Sequence, residues 1–203
     1  MNVTTNRKRE DGFTLIELLT VLTVMGIMVA MSVMLATTPL NSFKANSGMN
    51  FVTGELRAAR AMAIAQRRDV QVTFGQTVFS WGTQNYIQLH RLNLPVGSAA
   101  TDFPPDYAPT QTQFVLISGV PDTPMGFGLP AGTPAIYFGG LTGGPPVMKF
   151  TSRGTFEDGT NKPINGTIFL GLSGGPAISA RAVTILGATG RIRPYHYNGS
   201  WAE

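Results

Sequence analysis

Hydrophobic positions follow three different rhythms along this chain. From Phe13 to Ala36 they run nearly unbroken, interrupted only by Thr, Ser, Gly and a single charge, Glu17. About 24 residues at roughly 1.5 Å each make a helix of about 36 Å, enough to cross a hydrocarbon core of about 30 Å. Thr38-Pro39 is expected to kink or interrupt that helix, because proline lacks an N–H and crowds the preceding turn. Beyond it Val52, Leu56, Ala59 and Ala63 recur at spacings of four and three, with Arg57, Arg60, Arg67 and Arg68 on the other side. This second rhythm predicts an amphipathic helix whose arginines form a solvated face or meet neighbouring subunits.

After Asp69 the period drops to two. Val70, Val72 and Phe74 alternate with Gln71 and Thr73, and "TVFSW" and "YIQLHRL" follow across short Gly and Asn turns, which predicts an antiparallel meander. Residues 93 to 112 read as a proline-rich surface loop. Further strands are predicted at "FVLISGV", "AIYF", "VMKFTS", "GTIFLGL" and "ARAVTIL", each bounded by Gly or Pro as turn chemistry requires. The expected fold class is α+β, a long membrane-spanning N-terminal helix followed by an antiparallel β-rich domain.

Composition narrows the function. Only 13% of the 203 residues are charged, against about 25% in an average soluble chain, which suits one modest domain plus an anchor. A net charge of +4 tolerates polyanions without announcing a nucleic-acid protein. Cysteine is absent, so disulfides, thiolate metal sites and a cysteine nucleophile are excluded. His90 and His196 are the two histidines, too few for a histidine-rich metal centre.

The start of the apolar run carries the strongest chemistry. Arg7, Lys8 and Arg9 precede it and keep that end on the cytoplasmic side, so the bulk of the chain is expected outside the cytoplasm. The apolar stretch is too long for a cleavable secretory signal and no A-x-A site follows it. Glu17 is anomalous there, since a carboxylate at membrane depth costs about 2.5 kcal/mol or more unless compensated. Cleavage after Gly12 would create an α-amino group at Phe13. That amine lies four residues from Glu17 in one helix and within reach of Glu17 on a neighbouring chain in a helical stack.

Gly12-Phe13-Thr14-Leu15-Ile16-Glu17 resembles the class III signal of type IV pilins and type II secretion pseudopilins. The resemblance implies a prepilin peptidase that cuts after Gly12 and methylates Phe13, and a role for Glu17 in docking the subunit into a filament. "FVTGELRAARAMAIAQRRDVQVTF" and the closing "KFTSRGTF", "GTIFL" and "ARAVTILGATGRIR" are similar to the GspH/FimT branch of that superfamily. The implied organisation is a lollipop: leader 1–12, membrane and assembly helix 13–38, amphipathic helix 39–69 and β-rich domain 70–203. The implied location is the inner membrane, single-pass, with the N-terminus cytoplasmic and the C-terminal domain periplasmic or extracellular. Implied partners are the peptidase, other pilins or pseudopilins in a helical filament, and the inner-membrane assembly platform. Long Pro/Gly insertions between residues 93 and 146 depart from many relatives. The cysteine pair that closes the C-terminal loop of many major pilins is missing, which favours a minor pilin or pseudopilin.

Two further stretches hold candidate chemistry. "FEDGTNKP" offers Glu157, Asp158 and Asn161, oxygen ligands of the type calcium takes, but Asp158-Gly159 is also a turn signal and a plain turn is preferred. No cofactor or metal is expected. In "GATGRIRPYHYNGSW", a strand after Gly190 would put Arg191 and Arg193 on one face about 7 Å apart. Tyr195, His196, Tyr197 and Trp201 would add planar groups, with Arg181 nearby on the preceding strand. Gly190-Arg191-Ile192-Arg193 resembles the GRxR motif with which DNA-uptake members of the FimT branch bind duplex DNA. A solvated face on a terminal strand is the competing reading. A membrane-tethered enzyme is disfavoured, because neither histidine has a recognisable nucleophile elbow or acid partner in sequence, and no catalytic residue is assigned.

Overall fold

The computed structural model describes residues 13–80, 82–92, 103–109, 112–127, 135–142, 144, 146–172 and 174–203, without the side chains of 33–39 and 142. The leader, and much of the Pro/Gly-rich stretch between 93 and 146, lie outside the described residues. The chain divides into two units, the first ending at Pro39 and the second running Leu40–Glu203.

Helix α1 spans Leu15–Gln66, so Pro39 lies inside a helix that the sequence pattern expected it to kink or interrupt. One missing N–H and one crowded carbonyl cost about 3 kcal/mol, which a helix of this length absorbs when its flanking turns are well formed. Within the first unit, Leu15–Ser32 is an uncharged stretch apart from Glu17, with a mean hydropathy of 2.1 and no buried residue, long and apolar enough to cross a membrane.

In the second unit, α1 presents Val52, Leu56, Ala59 and Ala63, all fully buried, as the core-facing stripe that the spacing predicted. Two antiparallel sheets share that core. In the first, strands β1 (Val70–Phe79) and β2 (Gly82–Arg91) pair along their whole length. β3 (Asp106–Tyr107) flanks β2, and β7 (Met148–Phe150) and β8 (Phe156–Asp158) continue beyond β1, giving the order β3-β2-β1-β7-β8. The second sheet is built on β9 (Gly166–Leu172), β10 (Arg181–Leu186) and β11 (Arg191–Tyr197). β5 (Ile136–Phe138), β6 (Leu141–Thr142) and β12 (Trp201–Ala202) complete the order β12-β11-β10-β9-β5-β6, and β4 (Thr112–Gln113) pairs with β9. Val70, Val72, Phe138, Phe150, Phe156, Ile168, Val183 and Ile185 meet the helix stripe in one cluster, with Phe150 and Phe156 rings 4.7 Å apart. A smaller cluster of Phe169, Ala182 and Tyr195 packs with Leu116, Met125 and Trp201.

Two expectations from the strand pattern change. Gly75 is not a turn: β1 runs straight through it, and the glycine sits opposite Tyr86 because a β-carbon there would occupy the space of the tyrosine ring. "FVLISGV" is not a strand, since pairing stops at Gln113. Phe114 and Val120 are still buried, as single side chains turned in from a loop. An apolar run of that length signals burial, not the backbone conformation that achieves it.

The register of the last strands fixes which residues share a face. Val183 pairs with Pro194, Thr184 with Arg193 and Leu186 with Arg191. The Tyr197 N–H donates to the Ala180 carbonyl at 3.2 Å, so Tyr197, Tyr195, Arg193 and Arg191 direct their backbone groups toward β10. Pro194 directs its own away from β10. β12 covers that outer edge only at His196 and Tyr197.

Candidate functional site

At the N-terminal end of α1, Phe13, Leu15, Ile16, Leu18 and Leu19 are all more than half exposed, a band of apolar side chains with a carboxylate set in it at Glu17. The hydrogen bonds at Glu17 are made by its backbone: the N–H donates to Thr14 O at 3.1 Å and Thr14 Oγ1 at 3.3 Å, and its carbonyl accepts from Thr20 Oγ1 at 2.8 Å. Thr20 and Thr23 return their hydroxyls to carbonyls one turn back, which hides both polar groups within an otherwise apolar helix. Phe13 precedes the first helical turn, and Gly12 lies outside the described residues.

The terminal hairpin is rearranged relative to the sequence expectation. Arg181 pairs in register with His196, so it lies on the opposite face from Arg191 and Arg193. It is 2% exposed and its donors are all directed at the protein interior. Nε donates to Asn46 Oδ1 at 2.7 Å, Nη1 to the Ile178 and Ala180 carbonyls at 2.7 and 2.8 Å, and Nη2 to Ser42 Oγ at 2.9 Å. Burial lowers its pKa from the ordinary guanidinium value. Arg181 is therefore removed from the candidate DNA contacts: it is a strut between α1 and β10. Tyr195 is also buried, and the Trp201 indole donates to the Pro121 carbonyl at 2.8 Å, so neither is a free stacking platform.

Arg191 and Arg193 do share a face. Arg193 Nε stands 3.1 Å from Glu203 Oε1, and the side chain of Tyr195 together with the Glu203 charge raises the arginine's pKa. Arg191 is exposed and borders a groove of about 630 Å³ against α1, lined also by Arg57, Arg60, Ala61, Ile64 and Ile192. Arg60 was expected on a solvated helix face or at a neighbouring subunit. Instead its Nε donates to Gly154 O and its Nη2 to Thr189 O, both at 3.0 Å, clamping two turns onto the helix. No sequence periodicity signals this pair of contacts, which join residues 94 and 129 positions apart.

Gly190 explains the glycine that precedes Arg191. Its φ of 61° is left-handed, and a β-carbon there would run into the Gly154 carbonyl and the Arg60 guanidinium. Gly190→Ala is expected to destabilise the second unit by about 2 kcal/mol or more, from the left-handed strain plus the displaced clamp, read as a lower urea midpoint. A midpoint within error of wild type would show that the turn relaxes freely.

The acidic loop is a self-contained turn. Asp158 Oδ1 accepts from Thr160 N at 2.8 Å, Thr160 Oγ1 at 2.7 Å and Lys162 N at 3.0 Å, and these bonds, the Thr160 hydroxyl first, lower its pKa. Lys149 Nζ sits 2.7 Å from both Asp69 Oδ2 and Asn161 Oδ1, so the Asn161 oxygen is already taken by an ammonium. Among the described residues no three His, Cys, Asp or Glu side chains gather as a metal site.

A basic leader, a Gly-Phe junction and an exposed apolar helix with Glu near its start stand together in one N-terminal segment, and that segment is the part of the chain that matches a family model. The prokaryotic N-terminal methylation motif matches residues 7–33. Among solved structures the chain is similar to the type IV minor pilin FimU of Pseudomonas aeruginosa, with 17% identity, covering 78% of this chain and 97% of that one at a TM-score of 0.41. No curated protein matches by sequence.

Proposed function

We propose that the chain is a minor type IV pilin. A prepilin peptidase cleaves after Gly12 and methylates Phe13, with the basic leader on the cytoplasmic side of the inner membrane. The apolar part of α1 anchors the mature chain there until the assembly platform passes it into a filament of other pilins, where Glu17 meets the amine of a neighbour. The β-rich head is carried outside. The observation that carries this reading is the coincidence of the methylation motif at 7–33 with an unburied apolar stretch at Leu15–Ser32. An antiparallel head following the helix, and a sequence without cysteine to close the C-terminal loop of many major pilins, agree with it.

Processing tests it. Mass spectrometry of the full chain produced with a prepilin peptidase should show a mature N-terminus at methylated Phe13, and Gly12→Val should leave the precursor uncut. A mature membrane protein still beginning at Met1 would overturn the assignment.

A further inference from the structure

The groove between α1 and the β10–β11 turn has a chemistry that processing and anchoring do not use. Its floor is apolar, from Ala61, Ile64 and Ile192, and Arg57 and Arg191 stand in its lining from two different elements. Arg60 is fixed in place by two backbone carbonyls, which accept its hydrogens but do not neutralise its charge. Among the described residues neither Arg57 nor Arg191 is in an ion pair, whereas Arg193 has Glu203 and Lys149 has Asp69. The two exposed cations of the groove are thus open to a carboxylate, as Arg193 and Lys149 are not.

We propose that this groove is a docking surface for a carboxylate-bearing segment of a neighbouring filament subunit, an acidic side chain meeting Arg57 and Arg191 while an apolar one covers Ile64 and Ile192. The inference rests on the filament reading above. Charge complementarity is its basis, and the apolar floor selects a peptide: a side chain carrying CH2 groups beside its carboxylate fills both parts of the groove. A nucleic-acid backbone would be better served by cations running along the strand, and there Arg193 is already answered by Glu203.

Sheared filaments from cells making the full chain, or its Arg57→Gln/Arg191→Gln form, provide the test, with subunit content measured against the membrane pool. Both residues are exposed, so the double variant should keep the wild-type unfolding midpoint, be cleaved normally and fall in filament content by roughly tenfold or more. Arg57→Lys/Arg191→Lys should recover part of the loss. A photoreactive amino acid in place of Ala61 should crosslink to another filament subunit, identified by its peptide masses. Wild-type incorporation of the glutamine variant, or a crosslink to nucleic acid, would overturn the proposal. Absence of the unmodified chain from filaments would instead defeat the filament reading, and would be seen before any variant is compared.

Discussion

Replacing Arg181 by methionine is expected to lower the stability of the second unit by about 2–4 kcal/mol, read as a drop in the urea midpoint. The methionine fills most of the volume and keeps the strand, so the effect isolates the guanidinium. What is lost is a set of hydrogen bonds joining Ser42 and Asn46 of α1 to the carbonyls of Ile178 and Ala180 just before β10. Each buried acceptor left without a donor costs about 1–3 kcal/mol, reduced here where water reaches the half-buried Ser42 and Asn46. Among the described residues no carboxylate balances the charge, so Arg181→Lys, with one compact ammonium in place of a planar fork, should recover only a small part. A loss under about 0.5 kcal/mol in the methionine variant would mean the network is no more than incidental.

Glu17→Leu should have the largest effect on assembly. Leucine removes the roughly 2.5 kcal/mol penalty of a carboxylate at membrane depth, so membrane insertion should be at least as efficient, and cleavage should proceed. Filament content should nevertheless fall by more than about tenfold, because the favourable term exists only when an amine from a neighbour meets the carboxylate in a low-dielectric layer. Incorporation of the leucine variant at the wild-type level would remove any assembly role for Glu17.

The sequence made the helix stripe and most strands legible because both depend on local periodicity: Val52, Leu56, Ala59 and Ala63 recur once per turn, and β9, β10 and β11 alternate or run apolar between turn residues. The N-terminal methylation motif at residues 7–33 was legible for a similar reason, being contiguous. Arg181 was not. Its face depends on pairing with His196, and hence on the length of the turn between β10 and β11, so a single step in register moves it from solvent to core. Arg60 was missed because its partners are backbone carbonyls of distant turns, which carry no side-chain signature. Gly75 misled because the sequence shows a missing side chain without showing that Tyr86 takes its space.

Pro194 has a consequence for crowding. The outer edge of β11 is covered by β12 only at its far end, and an open strand edge is a template onto which another chain can add. At the centre of that edge the residue facing outward is a proline, with no N–H to offer, so a foreign strand would meet a gap in the ladder. In the filament proposed above, heads held side by side at high local concentration would thus be discouraged from zipping into a shared sheet. Contacts between them would then be left to side chains, which can release and re-form as subunits enter and leave, where an edge-to-edge ladder would aggregate.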